Sequence, residues 1–165
     1  MRLISLIGAA VWVDFIVMLI TKLGPGQRVP FLPPAGALKL WYDKFGLAAV
    51  SADVLSAVLG VLIAMFIFPN AWGPSLVAGA IFVQVIHDIF FYFVIIGLPQ
   101  GQNQMIDVFK SYVDEGGWTI LVADAMIMTG TVAIATVWDM LFSYRFIAFQ
   151  TLLGMYSLIY ITYTK

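Results

Sequence analysis

The chain has 165 residues, of which 62% are hydrophobic and 10% are charged, and its formal net charge is −1. In soluble domains about a quarter of the residues are charged, so this composition indicates an integral membrane protein. The sequence has no basic run of the kind that binds nucleic acid, and the absence of cysteine excludes disulfides, thiolate metal sites and cysteine nucleophiles.

Apolar runs of roughly 17 to 25 residues, the length that crosses a bilayer, occur five times. They predict an all-α fold, a polytopic membrane helix bundle that forms a single domain over residues 1–165. The link 139–145 is short and half apolar, so the last segment could instead lie in the membrane interface and leave four spans. The predicted transmembrane helices are Leu3–Leu23, Phe45–Phe68, Ser75–Leu98, Trp118–Trp138 and Phe146–Tyr163.

The first long loop, residues 24–44, is rich in proline. Proline fixes φ and removes a backbone donor, so we expect an irregular, extended surface segment followed by a short approach to the second span. This loop is either a plain connector or a docking segment for a partner, because extended proline-rich segments present their backbone and side chains. Arg28 and Lys39 are its candidate docking residues.

The second long loop, residues 99–117, predicts a short amphipathic helix on the membrane surface that packs beside the bundle. Gly116 and Gly117 predict where this helix ends. Lys110 lies on its polar face and is a third candidate docking residue. The predicted apolar stripe consists of Met105, Ile106, Phe109, Tyr112 and Val113.

The positive charges predict the orientation of the bundle. With five spans, two basic residues, Arg2 and Arg145, lie on one side of the membrane and six lie on the other. Because basic residues concentrate on the cytosolic side, this difference places both long loops in the cytosol and the N-terminus outside. The six are Lys22, Arg28, Lys39, Lys44, Lys110 and Lys165.

Four spans each contain one aspartate at a similar depth, roughly 9 to 15 Å below the face that carries the long loops. Asp14, Asp53, Asp88 and Asp124 therefore predict one polar layer inside the bundle. No lysine or arginine lies within the spans to pair with them, so we expect protonated carboxyls or bonds to neutral donors. The candidate donors are Ser51, Ser56, Gln84, His87, Tyr92, Thr129 and Thr131.

His87, the only histidine, directly precedes Asp88. Neighbouring residues on a helix point about 100° apart, so we expect one of the pair to face the layer and the other to face elsewhere. Tyr92, one turn after Asp88, is then its expected hydrogen-bond neighbour.

Three interpretations of the layer remain open. The carboxyls could hydrogen-bond helix to helix, or they could relay protons or cations with His87 as the group that titrates near neutrality. A metal site has no support from spacing, since neither Glu-x-x-His nor His-x-x-x-His occurs. Enzyme motifs are absent as well, so we expect neither catalysis nor a cofactor.

Small residues recur at every fourth position of the second span, and this pattern favours a tight bundle over an open channel because it lets another backbone approach closely. Trp41 and most other tryptophans fall near predicted helix ends, where an interfacial aromatic belt explains them. The small-residue stripe consists of Ala48, Ala52, Ser56, Gly60 and Ala64.

The segments LWYDKFGLAAVSADVLS, QVIHDIFFYFVII and MIDVFKSYVDEGGWTILVADAMIM lie within residues 40–130. Together they resemble a group of small multi-spanning membrane proteins of large nucleocytoplasmic DNA viruses that infect algae and protists. The resemblance implies a membrane-embedded minor capsid protein that links the ER-derived internal membrane of the virion to the capsid shell. It supplies no catalytic residue.

The expected function is that of a structural integral membrane protein that anchors a lipid bilayer to a protein assembly. Its expected partners are the bilayer and capsid or other membrane-complex proteins, bound through the face that carries the long loops, with no nucleic acid. The alternatives are a small proton- or cation-coupled transporter and an accessory subunit of a cellular membrane complex.

Overall fold

The computed structural model of the protein describes residues 1–23, 33 and 35–164. Within these ranges all regular structure is helical and no strand occurs, so the predicted all-α class is confirmed. The helices are α1 (Leu3–Leu23), α2 (Ala35–Phe45), α3 (Leu47–Ile67), α4 (Pro74–Gly97), α5 (Gln104–Gly116), α6 (Thr119–Leu141) and α7 (Tyr144–Thr162).

Four of these helices, α1, α3, α4 and α6, are long and apolar enough to cross a membrane. They support an integral membrane protein built as a helical bundle. The predicted fifth span corresponds to α7, which has 19 residues but does not meet the same criterion, so four of the described helices, and not the predicted five, qualify by length and hydropathy. Arg145, Gln150 and several hydroxyl-bearing side chains lower the hydropathy of α7.

Helix α7 nevertheless packs beside α1 and runs in the same direction. The indole Nε1 of Trp12 donates to the carbonyl of Gln150 at 2.9 Å, and Lys22 Nζ donates to the carbonyl of Thr162 at 2.6 Å. Beside Trp12 the two helices approach so closely that a Cβ on Gly154 would lie 2.8 Å from Val11 Cγ1. The last helix is therefore an integral part of the bundle.

A basic residue at or next to each end of α1 makes contacts at that end of the bundle. At one end, Arg2 Nε donates to Asp139 Oδ1 at 2.7 Å, and its guanidinium also reaches the carbonyl of Phe142 at 3.1 Å. At the other end, Lys22 pairs with Asp43 at 3.2 Å in addition to its bond to Thr162. Both cations satisfy carbonyls at the C-terminal ends of helices, where positive charge is favourable.

Helix α2 is an element that the sequence analysis does not predict. Residues 24–44 are expected to be irregular with a short approach to the span, yet residues 35–45 form a complete helix. Gly46, at a φ of 51°, separates α2 from α3. Residues 24–32 and 34, including the candidate docking residue Arg28, lie outside the described residues.

Helix α5 lies within the stretch 99–117, where the sequence predicts an amphipathic helix. Asn103 begins it by accepting hydrogen bonds from the backbone of Met105 and Ile106, and Gly117, at a φ of 51°, ends it. Its Phe109 ring packs on Trp41 of α2 with a centroid distance of 4.6 Å. The two short helices thus form one unit at the Lys22 end of the bundle, called the cover below. Its position at a membrane surface stays a prediction.

Two groups of buried apolar side chains fill the interior. One lies between the cover and the spans and includes Trp41, Tyr42 and Val108 of the cover. The other, called the apolar core below, fills the half of the bundle toward Arg2 and draws on α1, α3, α4 and α6. Its buried members are Leu6, Ala10, Ala57, Val58, Val61, Ala64, Leu76, Ala80, Val83, Met128 and Val132.

Candidate functional site

The four intramembrane aspartates lie at one level below the cover. Asp53 and Asp124 are six and five residues after the starts of α3 and α6, while Asp14 and Asp88 are nine residues before the ends of α1 and α4. At 1.5 Å per residue these positions correspond to depths of roughly 8 to 14 Å. The four residues are called the aspartate layer below.

Tyr42 of the cover connects two of these aspartates. Its hydroxyl donates to Asp14 Oδ1 at 3.1 Å and also lies within reach of Asp53. The side chain is only 1% exposed. Burial, followed by the nearby carboxylates of Asp53 and Asp14, raises the pKa of the Tyr42 phenol well above its ordinary value. Tyr42 therefore remains a neutral donor, and it attaches α2 to α1 and α3 together.

The adjacent Trp41 supplies a second donor. Its Nε1 lies 3.3 Å from Asp53 Oδ1 and 3.2 Å from Asp53 Oδ2. The indole ring also packs against Phe45 at a centroid distance of 5.0 Å and against Phe109. Two consecutive residues of α2 thus bind aspartates on two different spans, because one side of this short helix faces the bundle.

Asp88 takes its hydrogen bonds from residues that precede it. Gln84 Nε2 donates to Asp88 Oδ1 at 2.7 Å, and His87 Nδ1 lies 3.1 Å from the same oxygen. The expectation that Tyr92 is its neighbour is wrong, since the Tyr92 ring is exposed and packs against Phe93. Helical side chains lean toward the N-terminus, so the residue one turn earlier is the better placed partner.

His87 and Asp88 differ in burial as expected but are not separated. The side chain of Asp88 is 11% exposed and that of His87 is 50% exposed, yet the imidazole folds back onto the carboxylate. The ring also stacks on Phe91 at a centroid distance of 5.6 Å, and Phe91 contacts Phe109 of the cover. The expectation that His87 points away from Asp88 is thus corrected by their 3.1 Å contact.

Asp124 completes the layer. Its carboxyl group lies near those of Asp88 and Asp53. Tyr112 of α5 faces the same three aspartates. Burial, and then these carboxylates, raise the pKa of the Tyr112 phenol well above its ordinary value.

Six of the seven helices in the described part of the chain therefore contribute a polar side chain to this site. The cover residues Trp41, Tyr42 and Tyr112 are the ones that sequence reasoning misses as partners of the aspartates. Among the described residues the set is Asp14 on α1, Trp41 and Tyr42 on α2, Asp53 on α3, Gln84, His87 and Asp88 on α4, Tyr112 on α5 and Asp124 on α6.

The partners of the layer are neutral groups apart from His87. Among the described residues no lysine or arginine pairs with the four aspartates, since Lys22 pairs with Asp43 and Arg2 with Asp139. Within the same residues no group of three or more histidine and acidic side chains has a metal-binding arrangement. The metal alternative thus gains no geometric support.

The small-residue stripe of α3 makes close contacts in only half of its length. A Cβ on Gly60 would lie 2.8 Å from Met128 Cε and 3.5 Å from Gln84 Oε1, so α3 approaches α6 and α4 closely there. Ala64 is buried in the apolar core, and Ser56 is half-buried. Ala48 and Ala52, nearer the cover, are exposed.

The candidate docking residues differ in their surroundings. Lys39 is exposed on α2. The ammonium group of Lys110 donates to the carbonyl of Leu98, which caps the end of α4 and gives this lysine a structural role. Arg28 is outside the described part of the chain.

No protein-family model matches the chain, and no curated protein or solved structure matches it either.

Proposed function

We propose that the chain is a structural integral membrane protein that anchors a lipid bilayer to a protein assembly through its cover. One observation carries this proposal: Trp41 and Tyr42 of the cover bind Asp53 and Asp14 inside the spans. Hydrogen bonds between membrane helices contribute about 0.6 kcal/mol each on average. A load applied to the cover is therefore transmitted to the spans, as an anchor requires.

The distribution of polar groups supports an anchor over a transporter. A path for protons or cations needs polar groups or water across the whole membrane thickness. The aspartate layer occupies only the half of the bundle near the cover, and the apolar core fills the other half with side chains such as Leu6, Val61 and Val132. Helix-to-helix hydrogen bonding thus accounts for the aspartates better than conduction does.

Helix α7 is proposed to cross the membrane as a fifth span. Its contacts with α1 extend from the carbonyl of Ile4, which lies 3.5 Å from Thr151 Oγ1, to Lys22, so α7 runs beside a helix that is itself long enough to span, and this supports the proposal. The two termini then lie on opposite sides, with the cover in the cytosol, as the positive charges predict. Protease protection of N- and C-terminal epitope tags in sealed vesicles tests this topology. If added protease cleaved both tags, or if both tags were protected, the two termini would lie on the same side and this topology would be wrong.

The protein assembly is proposed to be the capsid of a large DNA virus, with the chain in the internal membrane of the virion. This part rests on the resemblance of the segments within residues 40–130. An accessory subunit of a cellular membrane complex would use the same geometry. Copurification of the full chain from its native source distinguishes the two, because the partners recovered are capsid proteins in one case and cellular membrane proteins in the other.

Site-specific photo-cross-linking tests the anchor. A benzophenone amino acid in place of Lys39, on the cover, should cross-link to one abundant protein in native membranes or particles. The matched control replaces Arg145, which is exposed at the opposite end of the bundle. Equal cross-linking from both positions, or cross-links from Lys39 to lipid alone, would refute docking through the cover.

Reconstitution tests the rival function. We expect no proton flux above that of empty liposomes for the native chain. Flux that is lost in Asp53→Asn or Asp88→Asn, and kept in the control Asp114→Asn on the exposed side of α5, would favour a transporter.

A further inference from the structure

Helix α2 has two sides with different surroundings. One side contacts the bundle, and the opposite side, called the outer side of α2 below, carries the exposed residues Lys39, Leu40, Asp43 and Lys44. We propose that the outer side of α2 binds an acidic segment of the partner protein, with Leu40 as the apolar contact between two lysines. This rests on the proposed function, because it names the chemistry of the partner that the cover binds.

The side of α2 that contacts the bundle determines where the outer side points. Trp41 and Tyr42 reach aspartates inside the spans, so the contacting side is directed into the membrane. The outer side lies across the helix from these residues and is therefore directed away from the bilayer. A partner in the aqueous phase can reach it more readily than the phospholipids of the protein's own membrane can. The contacting side consists of Leu38, Trp41, Tyr42 and Phe45.

The charges of the outer side form a basic surface. Asp43 pairs with Lys22 at 3.2 Å, so its negative charge is already compensated. Lys39 and Lys44 have no acidic partner among the described residues. The ammonium group of Lys44 lies 5.5 Å from the centroid of the neighbouring Phe45 ring, a contact that leaves its charge in place. The outer side thus presents two uncompensated positive charges, which carboxylates of a partner can pair with.

Leu40 adds an apolar contact to this basic surface. It is 48% exposed, and at 100° per residue it lies between Lys39 and Lys44 around the helix. Protein interfaces have an apolar centre surrounded by a polar or charged rim, and these three residues have that arrangement. Burial of Leu40 against a partner removes apolar surface from water. A segment that carries both acidic and apolar side chains therefore fits the outer side of α2.

Helix α5, the other half of the cover, has the opposite charge. It carries three acidic residues and one lysine, and that lysine, Lys110, donates to the carbonyl of Leu98. Asp114 is exposed on this helix. Like charges repel an acidic segment from α5 while the lysines attract it to α2, so the charges of the cover determine where the segment binds.

Peptide binding to the full chain in nanodiscs tests this charge preference without the native partner. The nanodiscs contain phosphatidylcholine, which has no net charge. The probes are two amphipathic peptides with the same leucines, one with glutamate and one with lysine on the polar side, and empty nanodiscs give the lipid background. We expect the glutamate peptide to bind the protein at least about tenfold more tightly, and this preference should decrease as salt increases.

Substitutions on the outer side should change the binding in different ways. Lys39→Glu with Lys44→Glu should abolish the preference and slow association by on the order of tenfold, because rim charges attract the probe. Leu40→Ala should instead speed dissociation. Arg145→Glu, a charge reversal at an exposed position of the opposite end, is the matched control and should leave binding unchanged. Helical circular dichroism shows that each variant has folded.

Equal binding of the two peptides would overturn the acidic segment as the occupant. Equal association rates for the native chain and the double lysine variant would overturn it as well, because the preference would then come from elsewhere on the chain.

Photo-cross-linking in native membranes identifies the segment itself. A benzophenone amino acid in place of Leu40 should capture a partner peptide with net negative charge, in lower yield when Lys39→Glu and Lys44→Glu are also present. A neutral or basic peptide, or an adduct to lipid alone, would overturn this proposal. A neutral or basic protein peptide would still leave docking through the cover intact, so failure of this inference and failure of the proposed function are distinguishable.

Discussion

Tyr42 donates a hydrogen bond to Asp14 at 3.1 Å across a sequence separation of 28 residues. This contact joins a short helix outside the spans to the first span. It gives Asp14 Oδ1 a hydrogen-bond donor, whereas Asp14 Oδ2 has no hydrogen-bond partner among the described residues. The stability of α1 and the position of the cover therefore depend on the same phenol.

Replacement of Tyr42 by phenylalanine should destabilise the protein by about 1 to 3 kcal/mol, because a buried carboxyl loses its donor while the ring is retained. Unfolding in mixed detergent micelles measures the loss. The matched control is Tyr144→Phe, at an exposed ring. Equal stability of the native protein and Tyr42→Phe would show that the bond contributes nothing.

The bond between Trp41 and Asp53 should appear as an energetic coupling. A double-mutant cycle with Trp41→Phe and Asp53→Asn is expected to give an interaction energy of about 0.5 to 3 kcal/mol, since the two side chains are in contact. The comparison cycle pairs Asp53→Asn with Trp72→Phe, whose ring is exposed at the opposite end of the bundle. Similar values from the two cycles would argue against a specific bond.

The close packing of α7 on α1 predicts sensitivity at Gly154. Alanine there places a Cβ 2.8 Å from Val11 Cγ1 and 3.0 Å from Trp12 Nε1, so the helices must separate and stability should fall by about 1 to 3 kcal/mol. Gly97→Ala is the control, because nothing lies within 4 Å of its added methyl group. Both variants are compared in the same unfolding assay, and a neutral Gly154→Ala would contradict the observed approach.

Lys22 should hold the C-terminal end of α7. Its side chain is 5% exposed and donates to the carbonyl of Thr162 at 2.6 Å, so Lys22→Met leaves that carbonyl unpaired and the end of α7 should fray. Hydrogen exchange of the last turn of α7 measures the effect, with faster exchange expected. Lys39→Met, at an exposed position on α2, should leave this exchange unchanged.

Alkaline pH should weaken the fold through the buried phenols. Burial raises the pKa of Tyr42 and of Tyr112 above the ordinary value of 10.0. The unfolded chain thus loses these protons first, and the stability they contribute is full below pH 10 and declines above it, by at most about 1.4 kcal/mol per pH unit for each phenol. Tyr112→Phe should make the decline between pH 10 and pH 12 shallower, whereas Tyr144→Phe should not. An unchanged slope would show that Tyr112 is ionised as easily in the folded chain as in the unfolded one.

The spans were predictable because hydrophobic length is a property of the chain alone. The runs around α1, α3, α4 and α6 are long enough to cross a bilayer whatever packs beside them. Helix α2 had a readable signal as well, since Leu38, Trp41, Tyr42 and Phe45 follow the spacing of an amphipathic helix. The helix was not predicted because the preceding prolines favoured an irregular loop and because Trp41 was assigned to an interfacial aromatic belt.

The partners of the aspartates were not predictable from the chain. Counting residues along each span places Asp14 and Asp88 at one depth, but it does not identify the residues that a separate helix brings beside them. Trp41, Tyr42 and Tyr112 reach the layer only through the packing of α2 and α5, which is a tertiary event. Within one helix the direction of side chains was enough to identify Gln84, and Tyr92 was the wrong choice because that direction was ignored.

The pairing of α1 with α7 also has a biosynthetic consequence. The ribosome makes α7 after all the other described helices, yet Trp12 and Lys22 of α1 bond to its carbonyls. During translation, α1 must therefore remain in the bilayer with Trp12 Nε1 lacking the carbonyl of Gln150, and Lys22 lacking that of Thr162, until the final helix arrives. A chain truncated before Tyr144 would leave the indole donor of Trp12 permanently without this partner, which is the kind of polar intramembrane defect that membrane quality-control proteases recognise.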